Sequence, residues 1–89
     1  MSNHAYRRKA NLLEAEVGDD LVALDAEAGK CFGFNAIATS VWRTLSRPRT
    51  FDELRAQLLE EYAVDPQQCE EDLRELLLDL RHKGLIEQD

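Results

Sequence analysis

The spacing of the apolar residues changes once along this chain, at Asn35. Before Asn35, apolar and polar residues tend to alternate, as they do in a strand with one buried side. After Asn35, apolar residues recur every three or four positions, as they do along one side of a helix. Strands followed by helices predict an α+β fold, and the length of 89 residues predicts a single domain.

Three short strands are predicted in the front half of the chain. Residues 11–17 alternate, with apolar side chains on one side and two glutamates on the other, which predicts a half-buried strand. Residues 21–24 and 30–34 form two further apolar runs. Turn residues separate these runs: Gly18-Asp19-Asp20 first, and then a loop that ends at Gly29, a residue suited to positive φ. Two short connections predict an antiparallel three-stranded meander whose second strand is central.

Three α-helices are predicted in the back half, each with its own start signal. Asn35 caps a helix that ends near residue 45, before an Arg-Pro-Arg break. The sequence T-x-x-E at residues 50–53 is a capping box that opens a helix to about residue 62. An Asp-Pro pair opens the last helix, residues 66–83, which Gly84 ends. The apolar stripe of this last helix is Cys69, Leu73, Leu76, Leu77 and Leu80.

The composition restricts what the chain does. A net charge of −7 argues against general binding of nucleic acid, which depends mainly on lysine and arginine. No apolar run approaches the roughly 20 residues of a membrane-spanning helix, and no secretory signal is visible, so we expect a cytoplasmic protein. Cys31 and Cys69 lack the spacing with histidines that a metal site needs, and no nucleophile has a plausible base. We therefore expect no metal, no cofactor and no catalysis.

The third predicted strand, residues 30–34, raises the question of what covers its free edge. Edge strands usually carry charges, prolines or bulges that prevent pairing with other chains. In this strand Lys30 is the sole charged residue, Phe32 and Phe34 share one side, and Gly33 lets another backbone approach. One interpretation is that the rings fill the core and that a helix or the N-terminal tail hides the edge. The other is that an extended peptide adds to the sheet as a further strand.

The order and spacing of these features resemble one family. An aromatic strand, an asparagine cap and a helix with Val41 and Trp42 follow one another in the run GKCFGFNAIATSVW. The back half adds the spaced pattern L…Y…D…L…L…GLI. Over roughly residues 12–87 the chain resembles the PqqD-like family, the precursor-peptide recognition domains of pathways that modify ribosomally made peptides. The segment GFNxxAxxVW, residues 33–42, is most similar to the stand-alone members of lasso-peptide pathways.

The sequence predicts a flexible tail over residues 1–10, followed by one domain over residues 11–89. The resemblance implies that this domain is winged helix-turn-helix-like. It implies a non-catalytic protein that binds the leader segment of a precursor peptide by strand addition. The groove would lie between the strand of residues 30–34 and the helix of residues 66–83. The implied enzyme partners are a leader peptidase and a macrolactam-forming cyclase. The residues that the resemblance assigns to peptide binding are Lys30, Cys31, Phe32, Gly33, Phe34, Cys69, Leu73, Leu76, Leu77 and Leu80.

Two other interpretations compete with this one. The fold would also suit a winged-helix regulator that binds DNA, but its recognition helix, residues 66–83, is rich in acidic residues, which phosphates repel. An open strand also suits pairing with its own copy. We therefore expect either a monomer or a dimer joined at the edge of the third strand.

Overall fold

The computed structural model describes residues 4–18 and 20–88, and it has the predicted α+β architecture. Asp19, in the first predicted turn, lies outside the described residues, as do residues 1–3 and 89. None of the helices in the described part is long and apolar enough to cross a membrane. The elements are β1 (Ala5–Arg8), β2 (Leu13–Val17), β3 (Asp20–Asp25), β4 (Lys30–Phe34), α1 (Ala36–Thr44), β5 (Arg49–Thr50), α2 (Phe51–Glu61), α3 (Pro66–His82) and β6 (Ile86–Gln88).

β2, β3 and β4 form the predicted antiparallel meander, with β3 in the centre. Residues opposite one another across the three strands share a face, as Leu13, Leu24 and Cys31 do. The connection between β3 and β4 ends at Gly29, whose φ of 66° is one that side-chain-bearing residues rarely adopt. β4 has the bounds that the sequence predicts, and β3 extends one residue further at each end.

A second sheet, with the strand order β5-β1-β6, has no counterpart in the sequence analysis. The N-terminal segment contributes its central strand, β1, whereas the sequence predicts a flexible tail over residues 1–10. Beyond this strand, the backbone N–H of Lys9 donates to the carbonyl of Leu85 at 3.0 Å. The partners of β1 have two and three residues, too few to display an alternation. No sequence pattern therefore marks this sheet.

The helices begin at the predicted caps. The side chain of Asn35 accepts from a backbone N–H in the first turn of α1 at 2.8 Å. At α2, the Thr50 hydroxyl accepts from the N–H of Glu53 at 3.2 Å, and the Glu53 carboxylate accepts from the N–H of Thr50 at 2.8 Å. Asp65 caps α3 through a hydrogen bond of 3.1 Å. These caps fix where each helix starts, and the first places α1 directly after β4.

The core lies between one face of the meander and the helices. Trp42 of α1 is 1% exposed, and its ring centroid lies 5.2 Å from that of Phe34 in β4. Leu85 and Ile86 continue from α3 into β6 and are also buried. The other buried apolar residues are Leu21, Ala23, Ala38, Val41, Leu45, Leu54, Leu58, Cys69, Leu73, Leu77 and Leu80.

β2 has the predicted alternation but an unexpected orientation. A half-buried strand usually turns its apolar side to the core and its polar side to water. In β2, however, Leu13 and Val17 are 58% and 64% exposed. Glu14 instead lies opposite Ala23, which is fully buried. The two glutamates of β2 therefore face the helices, and its apolar side faces outward.

Hydrogen bonds from three side chains compensate for the inward glutamates. Trp42 Nε1 donates to Glu14 at 3.0 Å, and the Arg8 guanidinium donates to the same carboxylate. Arg43 donates to Glu16 at 2.9 Å. Arg8 also lies 4.6 Å from the Trp42 ring centroid and donates to the Trp42 carbonyl. This network ties β2 to both β1 and α1.

Candidate functional site

β4 is an edge strand whose outer side has no strand partner in the described part of the chain. It pairs with β3 along its length. The N-terminal segment, which the sequence offers as one possible cover, pairs instead with β5 and β6 in the other sheet. The outer backbone groups of β4 are thus arranged as strand addition requires.

The inner side of β4 carries the two predicted phenylalanines, in different environments. Phe34 is 7% exposed and belongs to the core. Phe32 is half-buried and packs against the margin of that core. Lys83, at the end of α3, lies 6.0 Å from the Phe32 ring centroid and also pairs with Asp79 at 2.9 Å. Phe32 is therefore the ring of β4 that is accessible beside α3, with Lys30 exposed at the start of the strand.

α3 carries the other residues that the sequence assigns to peptide binding, but fewer of its leucines are accessible than the sequence indicates. Leu76 is half-buried at the margin of the core. Leu73 is 0% exposed, and Leu77 and Leu80 are each 2% exposed, so the three leave almost no surface for a peptide. Direct contact by these three residues is therefore corrected to a supporting role. The sequence stripe identifies the buried side of the helix, and Leu76 lies at the margin of that side.

A small apolar pocket of about 70 Å³ lies between the helices. Two of the predicted residues, Cys69 and Leu73, line it. Burial raises the pKa of the Cys69 thiol, which keeps this side chain protonated and apolar at neutral pH. The sequence analysis did not assign the remaining lining residues to a site. Val64 could have indicated one, because it is an apolar residue directly before the cap of α3. These residues are Ile37, Leu58, Tyr62, Val64 and Asp72.

Cys31 and Gly33 lie on the other side of β4, away from the core. Both are exposed, and Cys31 is a free thiol. No atom lies within 4 Å of where a Cβ at Gly33 would be. A second chain therefore has room to approach the β4 backbone at this position.

A comparison with models of protein families finds one match, which covers most of the chain. Residues 20–86 match the model of the family described as coenzyme PQQ synthesis protein D (PqqD). The chain belongs to the PqqD family. The resemblance drawn from the sequence is thereby confirmed. A comparison with curated protein sequences finds no match.

Solved structures similar to this PqqD-family chain include two complexes with leader peptides. TbiB1 in complex with the TbiA(beta) leader peptide has a TM-score of 0.79 and 30% identity, over 91% of this chain and 94% of TbiB1. Lasso peptide synthetase B1 complexed with its leader peptide has a TM-score of 0.78 and 21% identity, over 92% of this chain and 96% of that one.

The third similar structure is that of a PqqD domain. It is the solution structure of the PqqD truncation of Methylobacterium extorquens PqqCD, described as a stand-alone recognition element for ribosomally synthesized and post-translationally modified peptides. Its TM-score is 0.76 at 21% identity, over 93% of this chain and 88% of that one. These matches confirm the winged-helix-like fold.

A larger concave surface of this PqqD-family domain lies between α1 and α2. It is an open cleft of about 710 Å³ whose lining is mostly polar and includes Arg43 and Arg49. Ser40 donates to Glu61 across the cleft, and this hydrogen bond lowers the pKa of Glu61. Of the residues that the sequence assigned to peptide binding, Phe34 alone lines it. The cleft is thus separate from the groove beside α3.

Proposed function

We propose that this protein binds the leader segment of a ribosomally made precursor peptide by adding it as a strand at β4. The observation that carries the proposal is the unpaired edge of β4 beside the accessible ring of Phe32 and the half-buried Leu76. TbiB1, 30% identical to this chain, has a structure with the TbiA(beta) leader peptide, which supports a peptide of the same kind as the ligand.

Each part of the proposed site has its own role. The backbone of β4 bonds to the peptide backbone irrespective of its sequence, and Gly33 leaves space for it. Phe32 and Leu76 receive apolar side chains of the peptide. Leu77 and Leu80 hold α3 in place from the core. The proposed contact residues are Lys30, Cys31, Phe32, Gly33 and Leu76, whereas the side chains of Phe34, Cys69 and Leu73 support them from the core.

The expected affinity is modest. Roughly four main-chain hydrogen bonds contribute about 1 kcal/mol each. Two apolar side chains in the groove add about 2 kcal/mol each. Ordering a flexible leader costs roughly 2–5 kcal/mol, and association costs more. A micromolar dissociation constant corresponds to about 8 kcal/mol of net binding free energy, so reaching it needs contacts beyond these few. An affinity of that order suits a carrier that later releases its peptide.

We further propose that the protein is a non-catalytic cytoplasmic carrier that delivers the peptide to separate enzymes. In a pathway of the lasso type these enzymes are a leader peptidase and a macrolactam-forming cyclase. In this proposal the domain recognises the peptide and separate enzymes modify it. A strand edge and an apolar surface can hold a peptide without reacting with it.

The test first searches the reading frames beside this gene for a short precursor and then measures binding of its leader. Fluorescence polarisation of the labelled leader should give a micromolar dissociation constant. Cys31→Pro should raise that constant at least about tenfold, because proline removes an N–H donor from the strand. Leu78→Glu is the matched control, since Leu78 is 58% exposed on the far side of α3.

Circular dichroism must show that both variants fold. A folded Cys31→Pro variant that binds the leader as wild type does would refute pairing at this edge.

Charge disfavours the rival function of DNA binding. The exposed side of α3 presents Glu71, Glu75 and Asp79. Arg74 and the capping Lys83 pair with acids of this helix, and Arg81 donates to Gln88. A helix of this charge placed against phosphates is repelled. A salt-sensitive mobility shift of random duplex DNA on addition of the protein would support DNA binding instead.

A further inference from the structure

The small apolar pocket between the helices has one charged residue in its lining. The pocket has a volume of about 70 Å³, and its charged residue is Asp72 of α3, which is exposed. The buried residues of the lining are Leu58, Cys69 and Leu73, and the accessible apolar ones are Ile37, Tyr62 and Val64. The pocket therefore combines an apolar interior with a carboxylate at its mouth.

The carboxylate of Asp72 forms no ion pair with any of the described residues. Its Oδ1 accepts from the neutral side-chain amide of Gln68 at 2.9 Å, and its Oδ2 has no hydrogen bond in the same part of the chain. Burial raises the pKa of the Cys69 thiol, while Arg55 opposes that rise and Asp72 adds to it. The thiol thus stays neutral, and the lining of the pocket carries a single negative charge.

The pocket lies at one end of a row of residues on α3 whose other end reaches β4. Helical spacing places four residues in this row, namely Asp72, Leu76, Asp79 and Lys83. Lys83 lies 6.0 Å from the ring centroid of Phe32 in β4. At the other end, Asp72 shares the pocket with Ile37, in the first turn of the helix that follows β4. Both ends of the row thus lie beside β4 or the residues directly after it.

We propose that this pocket binds a lysine or arginine side chain of the leader peptide. The inference rests on the proposed function and adds to it the chemistry of one leader residue. Lysine and arginine lay an aliphatic stem along apolar surface and keep a cationic head at the edge of that surface. In the pocket, the stem packs against Ile37, Tyr62 and Val64, and the head donates to the free Oδ2 of Asp72.

The size and charge of the pocket disfavour the other classes of side chain. Its volume is about half that of the roughly 150 Å³ cavity that holds a benzene molecule, so an aromatic ring does not fit. Asp72 repels an acidic side chain. A purely aliphatic side chain would remove water from the carboxylate without pairing with it. A long side chain with a cationic end meets both requirements.

The spacing along α3 predicts where the basic residue lies in the peptide. Asp72 and Leu76 are one turn apart on the same side of the helix, a separation of about 6 Å along its axis. Two residues of an extended peptide cover about the same length, and their side chains point to the same side. The basic residue should therefore lie two positions from the apolar residue that contacts Leu76.

The test measures binding of the leader of the adjacent precursor by fluorescence polarisation. Each lysine or arginine of the leader is replaced in turn by methionine, which keeps an unbranched stem and removes the charge. One of these replacements, two positions from an apolar residue, should raise the dissociation constant about fivefold. Because this arm changes the peptide alone, it does not depend on the folding of a protein variant.

The protein arm of the test uses Asp72→Asn, which should raise the dissociation constant by the same factor. Combined with the methionine leader that loses affinity, this variant should bind about fivefold and not about 25-fold more weakly than the unchanged pair, because both changes remove one contact. Glu71→Gln is the matched control. It removes one charge from an exposed neighbouring position on another side of α3, so it should bind the leader as wild type does. Circular dichroism must show that both variants fold.

Several results would overturn this inference and leave the proposed function intact. The leader could bind wild type with the same affinity after replacement of each lysine and arginine, or bind although it contains neither. A folded Asp72→Asn variant could bind as tightly as wild type, or no more weakly than Glu71→Gln. A leader that does not bind wild type at all would instead overturn the proposed function, and this inference with it.

A selection from random peptides tests the pocket without the natural precursor. Peptides displayed on mRNA and selected on wild type should be enriched in lysine or arginine two positions from an apolar residue. Selection on Asp72→Asn should lose the preference for a basic residue and keep the preference for the apolar one. Equal enrichment of basic residues on the two proteins would contradict the assignment to Asp72.

Discussion

The two edge strands of the meander, β2 and β4, are held to the protein in different ways. β2 turns Glu14 and Glu16 inward, where Arg8, Trp42 and Arg43 bind them. β4 turns two phenylalanines inward, and apolar packing holds it from that side. Both strands lack a partner on their outer side in the described part of the chain, yet their environments differ.

The difference is the reason for proposing that a guest strand pairs with β4 and not with β2. Charged side chains are one of the devices by which proteins prevent pairing at an edge, and β2 carries two of them, Glu14 and Glu16. β4 has none in its interior and lies next to the accessible wall of α3. Among the described residues, β2 thus carries a charge-based protection of its edge that β4 lacks.

The largest effect should come from the core that both strands share. Leu73 is 0% exposed, so Leu73→Glu places a charge without a partner among apolar residues and should reduce the free energy of unfolding by about 3–5 kcal/mol. Chemical denaturation measures this loss. Leu78→Glu, on the exposed side of the same helix, should unfold close to wild type, and a comparable loss in that variant would contradict the orientation of α3.

The next effect tests how β2 is anchored. Arg8→Ala removes the donor to Glu14 and to the Trp42 carbonyl and should reduce the free energy of unfolding by about 1–3 kcal/mol. Arg74→Ala is the control, because its ion pair with Glu70, one helical turn away, is exposed and worth roughly 0–1 kcal/mol. Equal losses in the two variants, measured by thermal unfolding, would mean that the network does not anchor β2.

A smaller effect concerns the groove beside β4. Phe32 is half-buried, so Phe32→Ala should remove one apolar contact for the peptide and weaken leader binding about tenfold, or about 1.4 kcal/mol. Isothermal titration calorimetry measures the change. Val17→Ala, on β2, should bind the leader as wild type does. An unchanged affinity in Phe32→Ala would place the peptide outside this groove.

The smallest effect lies between α1 and α2, away from both edges. The Ser40 hydroxyl, followed by Gln57, lowers the pKa of Glu61 from its ordinary value of 4.5. A carboxyl whose pKa is lowered by folding stabilises the protein above its unfolded pKa and loses that contribution as the pH falls through its folded pKa. Ser40→Ala should therefore raise the pKa of Glu61, and the stability difference from wild type should shrink as the pH drops below about 4.5. An NMR pH titration that finds the same Glu61 pKa in both proteins would contradict this assignment.

The sequence predicts the elements whose signals are local. The caps at Asn35, Thr50 and Asp65 depend on residues within one turn, and β4 is bounded by a loop glycine and a cap. The second sheet is not predicted because its strands are short and lie far apart in the chain. β1 forms a strand by pairing with β5 and β6, and no signal near β1 in the sequence indicates these partners.

Orientation is the other limit of sequence reasoning. The alternation in β2 is correct, but alternation does not reveal which side faces the core. That choice depends on Arg8 and Trp42, which lie in other elements and supply partners for Glu14. For the same reason the stripe of α3 identifies Leu77 and Leu80 without showing that they are buried too deeply to contact a peptide.

Hydrogen–deuterium exchange with and without leader peptide tests the central claim most directly. A guest strand at β4 bonds to its outer amides, so amides within Lys30–Phe34 should exchange more slowly when the leader is bound. The amides of Leu13–Val17, on the protected edge, should exchange at the same rate in both states. Bound leader that protects β2, or the cleft between α1 and α2, and leaves β4 unchanged would contradict the account.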